Sequence, residues 1–331
     1  MSQIKVKETE FHVTIDVVAL TISDGLLQVA VVQRDDSNSC IDLNRDGRVL
    51  EVPRDFENHW ALPGGHVKVR TESLIEAAKR KIKEETSIEV DSERLIQIGA
   101  YGDIGRDPRS GRTVSVAFVA FQTKFTDPNA GTDAKAAKFI PVLELLVEPN
   151  RLEFDHEVML IDAIQKVRDL MLSTPIATSF CPQEFTMTEL REVYEVLWHR
   201  AYDTELAYNE RQTFASEISE YSTSPSTQLL NRAPNLKYEF ALMSQSSIEK
   251  ITRIMLNEAN SGTLKKPVFK DRLDPANFSR KVENIPGFIE KIENSKTRSS
   301  NSSSSGRPAQ LYRKGRAKRL DPPLRLRVKQ N

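Results

Sequence analysis

Cysteine is almost missing from these 331 residues: there are two, Cys40 and Cys181, far apart in the sequence. So sparse a set excludes a disulfide framework and fits a reducing compartment. No apolar run approaches the roughly 20 residues that a transmembrane helix needs. The opening MSQIKVKETEF lacks the apolar core of a signal peptide. The expectation is a cytoplasmic chain with no membrane partner. Net charge is lacking too, since 47 Lys+Arg balance 47 Asp+Glu. Neutrality would argue against a nucleic-acid partner if the charge were spread evenly, and it is not. Residues 265–331 hold 18 Lys/Arg against 6 Asp/Glu, so a basic end of +12 cancels an acidic remainder of −12. Such asymmetry marks either a module that meets a polyanion or a solvated tail with no partner.

With 39% hydrophobic and 28% charged residues, the chain has enough apolar surface for two or three domains. Residues 11–34 alternate and then run apolar around Ser23-Asp24-Gly25, the pattern of a hairpin of buried strands. After a polar loop at 35–58 comes a strand-like Trp60-Ala61-Leu62. Leu74, Ala77, Ala78 and Ile82 give residues 72–86 a helical period. Strands are expected at 95–101, 113–121 and 138–142 and a helix at 156–172, so residues 1–172 form an interleaved α/β domain. From 173 the chain reads as mostly helical. Thr186 and Glu189 have capping-box spacing, followed by the stripe Leu190, Val193, Tyr194 and Leu197. A helix is expected at 246–257, with Ile248, Ile251 and Met255 on one face, and another at 274–284. The segments GFIEKI and AQLYR then read as a β-ribbon around a Ser-rich loop. Helix, helix and ribbon outline a winged helix over 173–313, with an insertion at about 200–270. A basic tail without fixed structure is expected over 314–331.

The chemistry lies in residues 64–88, GGHVKVRTESLIEAAKRKIKEETSI. This segment resembles the Nudix box, in which a glycine turn feeds a helix whose glutamates hold Mg²⁺ against a pyrophosphate. Carboxylates at i, i+3 and i+4 share one helix face, and their oxygens suit a hard divalent ion. Glu72, Arg80, Glu84 and Glu85 fall in place. Lys81, however, stands where a metal-ligand glutamate is expected, Ser87 replaces a glycine, and the Gly65–Glu72 interval holds one residue too many. A fixed ammonium one turn before Glu84 and Glu85 competes with divalent metal. No catalytic residue is therefore assigned, and Glu84 and Glu85 remain as metal ligands only at a weakened Mg²⁺ site. No cofactor is required. The bland alternative, an ordinary charged helix, is disfavoured by the upstream LPGG.

Five further blocks widen the resemblance: 101–118, 154–164, 173–197, 273–282 and 306–313. Together with the box they are similar to the Nudix-related transcriptional regulators of NAD metabolism. The resemblance implies an α/β (α+β) chain: a Nudix αβα sandwich with a mixed sheet, then a winged helix-turn-helix. It implies a homodimeric repressor that binds a double-stranded DNA operator, with ADP-ribose or a related nucleotide as effector. Arg34, Gly64, Gly65, Asp103, Arg106, Asp107 and Arg112 match ligand-facing segments. Each of these is equally well read as a strand end or a turn with internally paired charges.

On the DNA side the resemblance makes 274–284 the recognition helix, with Asn277, Arg280 and Lys281 at i, i+3 and i+4. Arg suits guanine O6/N7 and Asn suits adenine N6/N7. Arg307, Tyr312 and Arg313 fall on the wing, for phosphates or the minor groove. The tail would add sequence-independent phosphate affinity. Two other classes stay open: a Mg²⁺-dependent hydrolase of ADP-ribose or another nucleoside diphosphate derivative, and a nucleotide-sensing adaptor that binds protein.

Overall fold

The structure, a computed structural model, describes residues 11–34, 42–43, 49–50, 59–68, 70–104, 106–107, 112–131, 134–146, 151–198, 202, 273–293 and 309–326. Most of the 35–58 loop, most of the 200–270 segment with its expected helix at 246–257, and Arg307 lie outside these residues.

Strands β1 (Phe11–Ser23) and β2 (Leu26–Arg34) form the expected hairpin, closing at the pair Ser23 and Leu26. Its two-residue turn places Asp24 at φ 53° and Gly25 at φ 78°. Both are left-handed, as the twist of a tight hairpin demands, and Asp and Gly adopt that region at little cost. Two short strands, β3 (Asp42–Leu43) and β4 (Val49–Leu50), pair with each other. The main sheet adds β5 (Gly64–His66), β6 (Leu95–Tyr101), β7 (Arg112–Phe121) and β8 (Ala134–Pro141), in the order β6-β7-β1-β2-β8 with β5 also on β1. The β1–β7 pairing is parallel and the others are antiparallel, so the sheet is mixed. The strand read at Trp60-Ala61-Leu62 reduces to isolated bridges, Ala61 to Val32 and Trp60 to Leu152, because two different partners divide it.

Both faces of the sheet are covered, giving the αβα sandwich. Side chains alternate along β1, so Ile15, Val17 and Ala19 meet Ala77, Ala78 and Ile82 of α1 (Leu74–Thr86). On the other face Val18 and Leu20 join Met159, Ile164 and Val167 of α3 (His156–Ser173), after the short α2 (Val142–Leu146). The α1 start is fixed by a Ser73–Glu76 capping box.

Beyond α3 the chain makes a 3₁₀ turn at Pro175–Phe180, then β9 (Phe185–Thr186) and α4 (Met187–Leu197). The Thr186–Glu189 capping box and the buried stripe Leu190, Val193, Tyr194 and Leu197 are as the sequence implies. Helix α5 (Pro275–Glu283) starts on Asp274, whose side chain accepts from the Asn277 N–H, with Pro275 in the first turn where no donor is missed. The 75 residues between α4 and Leu273 do not part the two helices. Glu195 accepts from the Leu273 N–H at 2.9 Å, and the Tyr194 and Phe278 rings meet edge-on at 5.4 Å. Strands β10 (Ile289–Lys291) and β11 (Leu311–Lys314) form the ribbon, and β9 extends it to three strands in the order β10-β11-β9. A two-residue strand before a helix carries too little pattern to be read from sequence.

The tail is corrected most. Lys314 closes β11, and residues 315–326 are ordered as a strap. The Gly315 and Ala317 N–H groups bond to Phe288 and Gly287 carbonyls, and Leu320 and Leu324 are buried. Their N–H groups donate to Ser173 and Leu172 at the end of α3, both at 2.8 Å. Two leucines at a four-residue spacing anchor a segment whose composition is otherwise that of a solvated chain.

The odd serine of the box has a structural meaning. Ser87 caps α1 in the left-handed region, φ 61°, with its N–H on the Lys83 carbonyl. That conformation costs an L-residue roughly 1–2 kcal/mol, partly offset by the entropy a glycine loses on folding. Ser87→Gly should therefore raise stability by up to about 1 kcal/mol in urea denaturation without changing the m-value.

Candidate ligand site and nucleic-acid interface

The box is built from β5, the turn after it and one face of α1. Arg80 is its hub. Its guanidinium reaches both Glu72 oxygens, at 2.5 and 2.8 Å, then Glu84 at 2.9 Å and the His66 carbonyl at 3.1 Å. Hydrogen bonding from Arg80 brings the Glu72 carboxyl down to about 2, helped by the Lys68 N–H. The Lys81 ammonium lies 3.5 Å from Glu84 and 3.6 Å from Glu85, the two pairs its spacing implies. Glu85 also accepts from the Gly64 N–H at 3.1 Å. The glycines are there for closeness. A Cβ on Gly65, at φ 145°, would lie 2.6 Å from Lys81 Cε, and one on Gly64 would strike Asp16 and the Ile15 carbonyl.

On the opposite face, the start of the sheet turns polar. Asp16 on β1 is buried and accepts from the Ser115 hydroxyl at 2.5 Å. His156 Nε2 lies 3.6 Å away from it, while His156 Nδ1 accepts from the Leu62 N–H at 3.0 Å. Arg106 completes the cluster. Sequence reading places it toward a ligand, but the structure turns it inward. Its guanidinium, 4% exposed, grips Asp155 at 2.6 and 2.9 Å and lies 3.7 Å from Asp16. Burial opposes its charge, yet Asp155 more than compensates and its pKa is raised. Arg106 thus ties the loop after β6 to the start of α3. Tyr101 makes a second tie, donating to Asp162 at 2.8 Å. Sequence reading missed Asp16, Asp155, His156 and Ser115. The signal was present in Asp16, the one carboxylate in β1, set between Ile15 and Val17.

The remaining ligand candidates are scattered along this end. Asp103 is exposed, with its carbonyl accepting from the Arg106 N–H, and Asp107 is half-buried. Arg34 closes β2 opposite Ala134. Arg112 opens β7 on the face that α1 covers, and its Nη1 is buried with no hydrogen-bond partner.

On the DNA side, Arg280 is exposed, Asn277 is half-buried, and the two are bonded to each other at 3.1 Å. Two candidates are reassigned. Lys281 donates to the Arg325 carbonyl, so it holds the strap. Tyr312 is 8% exposed and donates to Glu283 at 2.7 Å, joining ribbon to α5. Burial, then that hydrogen bond, pushes its phenol up to about 12. Arg313 is exposed and pairs with Glu290 at 3.0 Å.

The NUDIX domain model matches residues 33–162. That match covers 130 of the 331 residues. The matched stretch begins at the end of β2, so β1 and most of β2 complete the sheet from outside it. A relative described as an ADPR responsive transcriptional repressor, NtrR of Acinetobacter baylyi, is 27% identical over 230 residues, 69% of this chain and 82% of the relative. Among solved structures, a MutT/nudix family protein from Enterococcus faecalis is similar at 25% identity and TM-score 0.46, over 67% of this chain and 85% of its own. Shewanella oneidensis NrtR complexed with a 27mer DNA is similar at 20% identity and TM-score 0.48, over 91% and 93%.

Nudix proteins generally use Mg²⁺, and these residues do not fit one. Glu84 and Glu85 already share the Lys81 ammonium, and Glu72 is taken by Arg80. Among the described residues no group of three His, Cys, Asp or Glu side chains is placed to hold a metal ion. A divalent ion would have to displace the Lys81 ammonium from Glu84 and Glu85.

The depressed Glu72 carboxyl fixes a pH dependence. A group lowered from 4.5 to about 2 adds stability that is fully present above 4.5 and is lost as pH falls through about 2. Chemical denaturation of wild type and Glu72→Gln should therefore differ most above pH 4.5 and converge toward pH 2.

Proposed function

We propose that this protein is a nucleotide-responsive transcriptional repressor in which the Nudix domain binds an effector without hydrolysing it. One observation carries the reading: the similarity to the Acinetobacter repressor runs over 230 residues, a longer stretch than the Nudix match. It therefore includes chain outside the Nudix segment, which a shared Nudix fold alone would not require.

The effector is ADP-ribose or a related nucleotide, bound at the β5–α1 turn and the loop after β6. Arg112, with an unpartnered buried Nη1, supplies a donor for a phosphate or ribose oxygen. Hydrolysis is lost because Lys81 fills the space between Glu84 and Glu85, where a metal would bridge to the diphosphate. Binding survives that change, since backbone amides and fixed donors recognise a diphosphate without metal. Helix α5 enters the major groove, with Arg280 and Asn277 reading bases and Arg313 on phosphate. A two-fold dimer matches operator half-sites, and the chain works in the cytoplasm.

Two measurements test this. ADP-ribose should raise the thermal midpoint equally with Mg²⁺ and with EDTA, since a ligand of the native state stabilises by mass action. Purified protein with Mg²⁺ should leave ADP-ribose intact, and turnover at ordinary enzyme rates would overturn the sensor reading. Once the operator is mapped, Arg280→Ala should lose about 1–3 kcal/mol of discrimination at one base pair while keeping sequence-independent affinity. Unchanged discrimination would move base reading off α5.

A further inference from the structure

We infer that the strap after the ribbon, residues 315–326, is itself a DNA-backbone contact surface, held ready beside the recognition helix. The inference rests on the DNA-binding reading and adds to it a segment outside the blocks that carry the family resemblance. The strap starts at Lys314, the end of β11, and ends against α5, where the Arg325 carbonyl accepts from Lys281. It thus connects the two elements expected at the duplex. Between these points four exposed cations, Arg316, Lys318, Arg319 and Arg325, face one carboxylate, Asp321. Arg316 is 96% exposed and is the only one of the four with a described ion pair, 3.6 Å from Glu290.

The strap is fixed as well as charged. Backbone bonds to Gly287 and Phe288 hold its start, and buried Leu320 and Leu324 pin it to the last turn of α3. Gly315 allows the tight passage, since a Cβ there would lie 2.1 Å from the Gly287 carbonyl. A row of cations held along a rigid segment suits a partner with regularly spaced negative charge. Duplex DNA, with about one charge per 1.7 Å of axis, is that partner. Nothing in the strap reads bases, so its contribution is independent of sequence.

The test is the salt dependence of binding to a random-sequence fluorescent duplex, which needs no known operator. Each phosphate contact contributes about 0.9 to the slope of log K against log salt. The variant with Arg316, Lys318, Arg319 and Arg325 all changed to Gln should lose up to about 3–4 of that slope. Lys318→Gln alone should lose about one contact's share. These side chains are exposed, and an unchanged thermal midpoint confirms the fold. Arg280→Ala, measured alongside, should keep most of its slope. A strap variant with the wild-type slope overturns the inference while leaving the repressor reading intact. A wild-type protein that binds no duplex at low salt overturns both, and Arg280→Ala would then show nothing to compare.

Discussion

Burial of α3 between the sheet and the C-terminal elements constrains everything else. One side of the helix packs Met159, Ile164 and Val167 against β1 and β7. Its far end is equally committed. The Arg168 Nε donates to the Leu197 carbonyl at 2.6 Å, and the Met171 carbonyl accepts from the Tyr194 hydroxyl at 3.1 Å. Buried donors and acceptors cost roughly 1–3 kcal/mol when left unpaired, so these bonds specify one placement of α4 on α3. Helix α5 then packs on α4, and the strap returns to Ser173 and Leu172. The first turn of the same helix receives Arg106 through Asp155. The loop beside the candidate ligand site and the segment beside the candidate recognition helix therefore rest on opposite ends of one rigid element.

The box shows how little change separates a metal site from a closed one. Five charged side chains, Glu72, Arg80, Lys81, Glu84 and Glu85, form a connected set of ion pairs on one helix face and the turn above it. With glutamate at position 81 the helix would present a run of carboxylates whose mutual repulsion only a divalent cation relieves. With lysine, the repulsion is relieved from within. The pairs are partly exposed and contribute little stability one by one. Their consequence is electrostatic: most of the charge that would attract a metal is already offset by Arg80 and Lys81.

Much of this was legible in the sequence wherever periodicity and local chemistry agreed. The Asp24-Gly25 turn, the Thr186–Glu189 capping box, and the stripes of α1 and α4 have local causes and appear where the pattern puts them. The Lys81 pairs followed from helix spacing alone. What was illegible depends on contacts distant in sequence. Arg106 lies in a Gly/Pro-rich turn that reads equally as ligand-facing or as internally paired, and only the approach of Asp155, 49 residues on, decides for the second. Tyr312 looked like a wing residue until Glu283 came within reach. The strap looked disordered because Leu320 and Leu324 are sparse among charges and prolines. Their partners on α3 lie almost 150 residues earlier.

That ordering alters what the basic end can do. A disordered tail binding a polyanion loses conformational freedom on each contact, and lost freedom offsets much of the electrostatic gain. Here the backbone of 315–326 is fixed before any partner arrives, by bonds to Gly287, Phe288, Leu172 and Ser173. Only side-chain rotamers remain to be ordered, so more of each ion contact survives as affinity. The arrangement also determines where those cations can act. A free tail samples phosphates anywhere within reach, whereas the strap holds Arg316 to Arg325 between β11 and α5. The chain's neutrality is therefore a sum of an acidic remainder and a basic end. Among the described residues, the remainder carries the paired box and the end carries the exposed cations of the strap.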